Sequence, residues 1–190
     1  TEGGNTFIGA NAGGGSINGA DNCVAIGKDS LAGAATQDGT VAIGKDALQA
    51  LTSGAANTAV GYQALASVTT GQWNTAVGYQ AADVLPAGAD SNTAIGQGAL
   101  GAGNNATCDK NTCLGDGAGG NITTGYKNTI LGASSQPAGV DAINQTLVGY
   151  GITALDVDNS VVLGDSNVTA VYMAQDSGAV VYCAGVNFPD

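Results

Sequence analysis

Apolar and polar positions alternate along this chain in a short figure that keeps returning. Residues 57–61 and 74–78 both read Asn-Thr-Ala-Val-Gly. Asn-Thr-Ala-Ile-Gly follows at 92–96, Asn-Thr-Cys-Leu-Gly at 111–115 and Asn-Thr-Ile-Leu-Gly at 128–132. Looser copies close at Gly9, Gly27, Gly44, Gly149 and Gly164, so ten glycines mark steps of 15 to 19 residues. A period that short over most of a chain predicts a solenoid in which each repeat adds one coil.

Counting from the closing glycine as zero, position −1 is Ile, Val or Leu in every copy and position −3 is Thr or Val. Position −2 is Ala in five copies and otherwise Phe7, Cys113, Ile130, Leu147 or Val162. In a strand, −1 and −3 share one face and −2 takes the other. Both faces are free of charge, which predicts a covering layer on each side. After the glycine, +3 and +4 are small and apolar (Ser30-Leu31, Ala47-Leu48, Ala64-Leu65, Ala99-Leu100), and a short second strand is expected there. Asn at −4 (Asn5, Asn57, Asn74, Asn92, Asn111, Asn128) predicts a stacked amide ladder that satisfies turn backbone groups.

The repeat defines a β-roll domain over residues 1–164. Beyond it, Val168–Met173, Asp176–Gly178 and Ala179–Cys183 read as strand, turn and strand. This hairpin is expected to cap the roll, and residues 165–190 then lead as a linker into a further part.

Composition narrows the function classes. Gly makes up 32 of the 190 residues, and charged residues only 10% against about a quarter in ordinary domains. Glycine suits tight coils because it accepts backbone angles that other residues resist. Four Lys+Arg against 15 Asp+Glu give a net charge of −11. Nucleic acid and anionic lipid would be repelled, and no 18-residue apolar run suggests membrane insertion.

Catalytic and metal chemistry lacks its usual parts. There is no histidine, and Cys23, Cys108, Cys113 and Cys183 have no metal-ligand spacing. Cys113 takes the Ala position of the motif, so a small buried side chain is expected; a Cys108–Cys113 bridge is the alternative. Gly96-Gln-Gly98-Ala-Leu-Gly101 and Gly115-Asp-Gly117-Ala-Gly-Gly120 match the dinucleotide fingerprint, but they fall at repeat bends outside any βαβ unit. Asp156-Val-Asp158 lacks a full set of Ca²⁺ ligands. We expect no enzyme activity, no cofactor and no bound metal.

The units Asn57-Thr-Ala-Val-Gly-Tyr-Gln-Ala-Leu65 and Val24-Ala-Ile-Gly-Lys-Asp-Ser-Leu31 resemble the head repeats of trimeric autotransporter adhesins. The first is also similar to repeats of phage tail-fibre proteins, and the tail Val168-Thr-Ala-Val-Tyr-Met-Ala-Gln-Asp-Ser-Gly178 leans the same way. That resemblance implies an all-β, left-handed parallel β-roll (a β-solenoid with coils of about 17 residues) in which three chains pack side by side. It agrees with two apolar strand faces, and the −2 column, including Ala59 and Ala76, is expected in the interface between chains.

The function it implies is a structural and binding segment of a homotrimeric fibre in a virion or at a cell surface. Its partner would be a host-cell surface glycan or protein. A bacterial adhesin head is one alternative. Another is a monomeric ice-binding or surface-binding solenoid, suggested by the Thr column at −3. Tyr62 and Tyr79, at +1 in consecutive coils, should stack on the outside of the roll, with Trp73 in the intervening loop near them. These three are the candidate binding residues.

Overall fold

In the computed structural model the described residues are 3–15, 19–33, 36, 38–102, 108–154 and 157–169. The expected capping hairpin and the segment to Asp190 fall almost wholly outside them. Each repeat contributes one three-residue strand on the motif itself. The strands are β1 (Thr6–Ile8), β2 (Val24–Ile26), β3 (Val41–Ile43), β4 (Thr58–Val60) and β5 (Thr75–Val77). They continue as β6 (Thr93–Ile95), β7 (Thr112–Leu114), β8 (Thr129–Leu131), β9 (Thr146–Val148) and β10 (Val161–Leu163). All ten pair in sequence order as one parallel sheet, motif residue against motif residue, as in Thr58↔Thr75, Ala59↔Ala76 and Val60↔Val77. The chain is a parallel β-solenoid, and no helix occurs among the described residues.

The core is a single column of small and aliphatic side chains inside the coils. Position −2 points into it: Ala25, Ala42, Ala59, Ala76 and Cys113 are 0% exposed, as are Ile130 and Leu147. The +3 and +4 residues close the core from the other side, with Ala47, Leu48, Ala64 and Leu65 fully buried. Ala59 and Ala76 therefore do not lie between chains, contrary to the expectation from sequence. A coil of 17 residues has one interior, and −2 fills it. Positions −1 and −3 face outward, where Val77, Ile95, Leu114, Leu131 and Val148 stay exposed within the single chain.

The expected second strand is also replaced. Residues +1 to +4 form turns, because +2 and +4 both adopt left-handed backbone angles: Gln63 has φ 55° and Leu65 has φ 53°. Such angles break an extended run and usually cost a non-glycine residue something on the order of 1 kcal/mol. Two effects offset that here. Burial of each Leu side chain contributes roughly 2 kcal/mol. The turn N–H groups also bond across coils, as Leu48 to Ala64 O (3.0 Å) and Gln80 to Tyr62 O (2.8 Å). The turns stack as regularly as the strands do.

The closing glycine is required by the approach of one coil to the next. Gly27 has φ 128°, and a Cβ there would stand 2.7 Å from the carbonyl carbon and oxygen of Gly44. The same approach recurs up the stack from Gly9 to Gly132, so the closing position of the repeat leaves no room for a side chain.

Candidate functional site

Inside the coils the amide ladder forms and leaves its members nothing to offer a ligand. Asn57 Oδ1 accepts from the backbone N–H of Asn74 (2.9 Å) and from its side-chain Nδ2 (3.1 Å). Asn74, Asn92 and Asn111 repeat this upward to Asn128. Each Nδ2 also donates to a turn carbonyl, as Asn74 does to Ala89 O at 2.7 Å. Cys23 and Thr40 interrupt the column, and the buried hydroxyl of Thr40 has no hydrogen-bond partner. The ladder is structural.

A second ladder escaped the reading from sequence. Position −6 carries Asp21, Asp38, Asp90, Asp109 and Asp158, and each carboxylate accepts from the N–H of the −6 residue one coil earlier. Asp90 thus takes Gln72 N–H at 2.8 Å, and Asp109 takes Asp90 N–H at 2.8 Å. The signal was present as an Asp recurring six residues before the closing glycine. It ties five of the 15 acidic residues to the corners that precede β2, β3, β6, β7 and β10. Asp158 is one of these rungs, and its neighbour Asp156 lies outside the described residues. Among the described residues no group of three His, Cys, Asp or Glu side chains converges as metal ligands would.

The outer surface offers three features. The first is the sheet face made by −3 and −1, where Thr58, Thr75, Thr93, Thr112, Thr129 and Thr146 are half-buried beside the exposed aliphatic column. The second is the +1 column. Tyr62 and Tyr79 stack with ring centroids 5.2 Å apart and planes 12° from parallel. Lys45 Nζ lies 5.2 Å from the Tyr62 centroid and is itself paired with Asp46. The ring faces in this stack are directed at one another along the roll.

Trp73 belongs to the third feature. It sits at −5, at the opposite end of β5 from Tyr79, and no ring contact among the described residues joins it to the tyrosine pair. Position −5 is a left-handed corner in coil after coil, with φ 58° at Trp73, 60° at Ser91, 56° at Lys110 and 61° at Lys127. Each corner N–H donates to the −6 carbonyl of the preceding coil, as Trp73 to Ala55 O (3.1 Å) and Lys127 to Asp109 O (3.0 Å). The side chains of this column therefore stand outward in a row. Asp109, Lys110, Tyr126 and Lys127 line a groove of about 300 Å³ there, and Lys127 Nζ lies 5.5 Å from the Tyr126 centroid.

The described cysteines are inert. Cys23, Cys108 and Cys113 are buried and in no disulfide, so the Cys108–Cys113 bridge is absent. Burial, helped by the charge of Asp109, pushes the Cys108 thiol up to about 12; burial, with Cys108 as a lesser cause, does the same for Cys113. The two glycine-rich fingerprints are repeat turns: Gly98 and Gly117 occupy the left-handed +2 corner, with φ 56° and 61°. No helix among the described residues is long and apolar enough to cross a membrane.

Compared with models of known protein families, the chain matches none, and no match was found among curated proteins. The functional reading accordingly rests on the geometry of these surfaces.

Proposed function

We propose that this chain is a structural and binding segment of a homotrimeric fibre, with three rolls packed side by side through their −3/−1 faces. One observation carries the reading. The core of each coil is complete without the −1 column, yet that column is aliphatic in all ten repeats; Ile26, Ile43 and Val60 are half-buried and the other seven are exposed, from 36% at Val77 to 59% at Ile8. A continuous apolar stripe of this length on a single chain marks an interaction surface. The Thr methyl groups beside it extend the stripe, and no charge interrupts it.

A fibre of this kind acts by rigid display. Stiff rolls hold weak contacts at fixed spacing, and three copies multiply their effect. The proposed setting is a phage tail fibre, with a bacterial adhesin head as the alternative, and the proposed partner is a host-surface glycan or protein met by the outward side chains Tyr62, Tyr79 and Trp73. No catalysis or cofactor enters this reading.

The test is native mass measurement of the chain and of Val77→Lys/Ile95→Lys. The wild type should be a trimer and the variant a folded monomer, because two ammonium groups per chain cannot be buried without partners. A wild-type monomer, or a variant that remains trimeric, overturns the interface.

One observation favours a second reading, in which the same face binds ice or another regular surface as a monomer. The Thr column points outward in register from Thr58 to Thr146, with hydroxyls repeating about every 4.8 Å. A monomer that shapes ice crystals, and loses that activity in Thr93→Lys, would support this reading against the fibre.

A further inference from the structure

We propose that the −5 corner between Trp73 and Lys127 is a binding site for a short acidic glycan, one carrying a single carboxylate or sulfate on an otherwise neutral chain. The chain has four cations, and they fall into two pairs of different character. Lys28 and Lys45 are neutralised by their own neighbours, Asp29 and Asp46. Lys110 and Lys127 make no ion pair among the described residues. Both are exposed, and both are fixed at one-coil spacing by the register that sets Thr112 against Thr129.

Their backbone positions are therefore about 4.8 Å apart, and both residues line the same groove. The carboxylate of Asp109 also lines the groove, and one of its oxygens is held by the backbone N–H of Asp90 at 2.8 Å. An anion entering the groove meets two lysines against one carboxylate, and a ring, Tyr126, that lies beside the Lys127 ammonium.

The row continues in the other direction to an aromatic anchor. Trp73 stands two coils before Lys110, roughly 10 Å along the roll, and it is 58% exposed with Ser91 between. An indole face at one end and two ammonium groups at the other suit a short oligosaccharide with a pyranose ring on the Trp and its acidic group on the lysines. A long polyanion is disfavoured, because the whole chain carries −11 and would repel it.

This inference rests on the attachment reading for its biological purpose only. The groove is built by one chain, so binding can be measured whether or not the chain trimerises. Isothermal titration with sialyllactose, sulfated lactose and plain lactose separates the carboxylate and sulfate sources from the neutral sugar. At low salt at least one acidic probe should bind at least tenfold more tightly than lactose, and the preference should vanish near 1 M salt, where charges are screened beyond about 3 Å.

Lys110→Gln/Lys127→Gln should remove the preference, Lys110→Arg/Lys127→Arg should keep it, and Trp73→Ala should weaken acidic and neutral probes alike. Equal binding of acidic and neutral sugars overturns the site, as does an unchanged preference in the folded Gln variant or no binding of either acidic probe. A trimer without binding refutes this site alone, and a monomer that binds refutes the fibre alone.

Discussion

The repeat makes a quantitative claim about glycine that a matched pair of substitutions tests. Gly78 and Gly98 both have positive φ, 140° and 56°, and each can be changed to Ala. At Gly78 the added Cβ would lie 2.5 Å from the Gly96 oxygen and 2.7 Å from its carbonyl carbon. Backbone cannot yield as a side-chain end does, so the coils must separate locally. Left-handed strain of roughly 1–3 kcal/mol then adds to an overpacking cost of similar size, about 3 kcal/mol or more in total. At Gly98 a Cβ meets nothing within 4 Å, and the same corner holds Gln63 and Ser134 in other coils.

Strain of about 1 kcal/mol there is largely offset by the reduced freedom of the unfolded chain. For a chain of this length, 1 kcal/mol shifts Tm by about 2–4 °C, so Gly78→Ala should lose roughly 6–12 °C and Gly98→Ala no more than about 4 °C. Melting followed by circular dichroism, at one fixed protein concentration, reads the difference. Hydrogen exchange should place the loosening around β5 and β6, since a repeat array can open locally. Equal melting of the two variants would refute the argument that coil approach, and not turn geometry, selects the closing glycine.

Three further outcomes are expected. Thr40→Asn should raise stability by about 1 kcal/mol in urea unfolding, because it replaces a buried unpartnered hydroxyl with the amide that continues the ladder below Asn57. Asn74→Ala should cost about 2 kcal/mol or more by the same measurement, since it orphans the N–H of Asn92 and the carbonyl of Ala89. Burial holds Cys108 and Cys113 protonated, from a usual 9.0 to about 12. They should therefore resist thiol reagents near pH 8 until the chain unfolds. Their contribution to stability should be complete below pH 9 and lost between pH 9 and 12 as the unfolded thiols ionise first; Cys108→Ala/Cys113→Ala should flatten that part of the Tm profile.

The period of the motif was enough to determine the solenoid, its register and the amide ladder. All three follow from local repetition: like residues recurring every 15 to 19 positions stack upon one another, and a strand of three residues leaves little room for slip. The sequence alone did not decide which strand face is the inside. The −2 and −1 columns are both apolar, and only the closing of the coil shows that the interior takes −2, where Ile130 and Leu147 are buried as fully as the alanines. That choice turned the −3/−1 face outward and moved the candidate interface from Ala59 and Ala76 to Val77 and Ile95.

Tertiary structure also sorted the aromatics. Tyr62 and Tyr79 share the +1 column and stack, whereas Trp73 joins Lys110 and Lys127 at the far end of the strands. Proximity in sequence put the three together; stacking separates them, because in a solenoid neighbours are set by position within the coil.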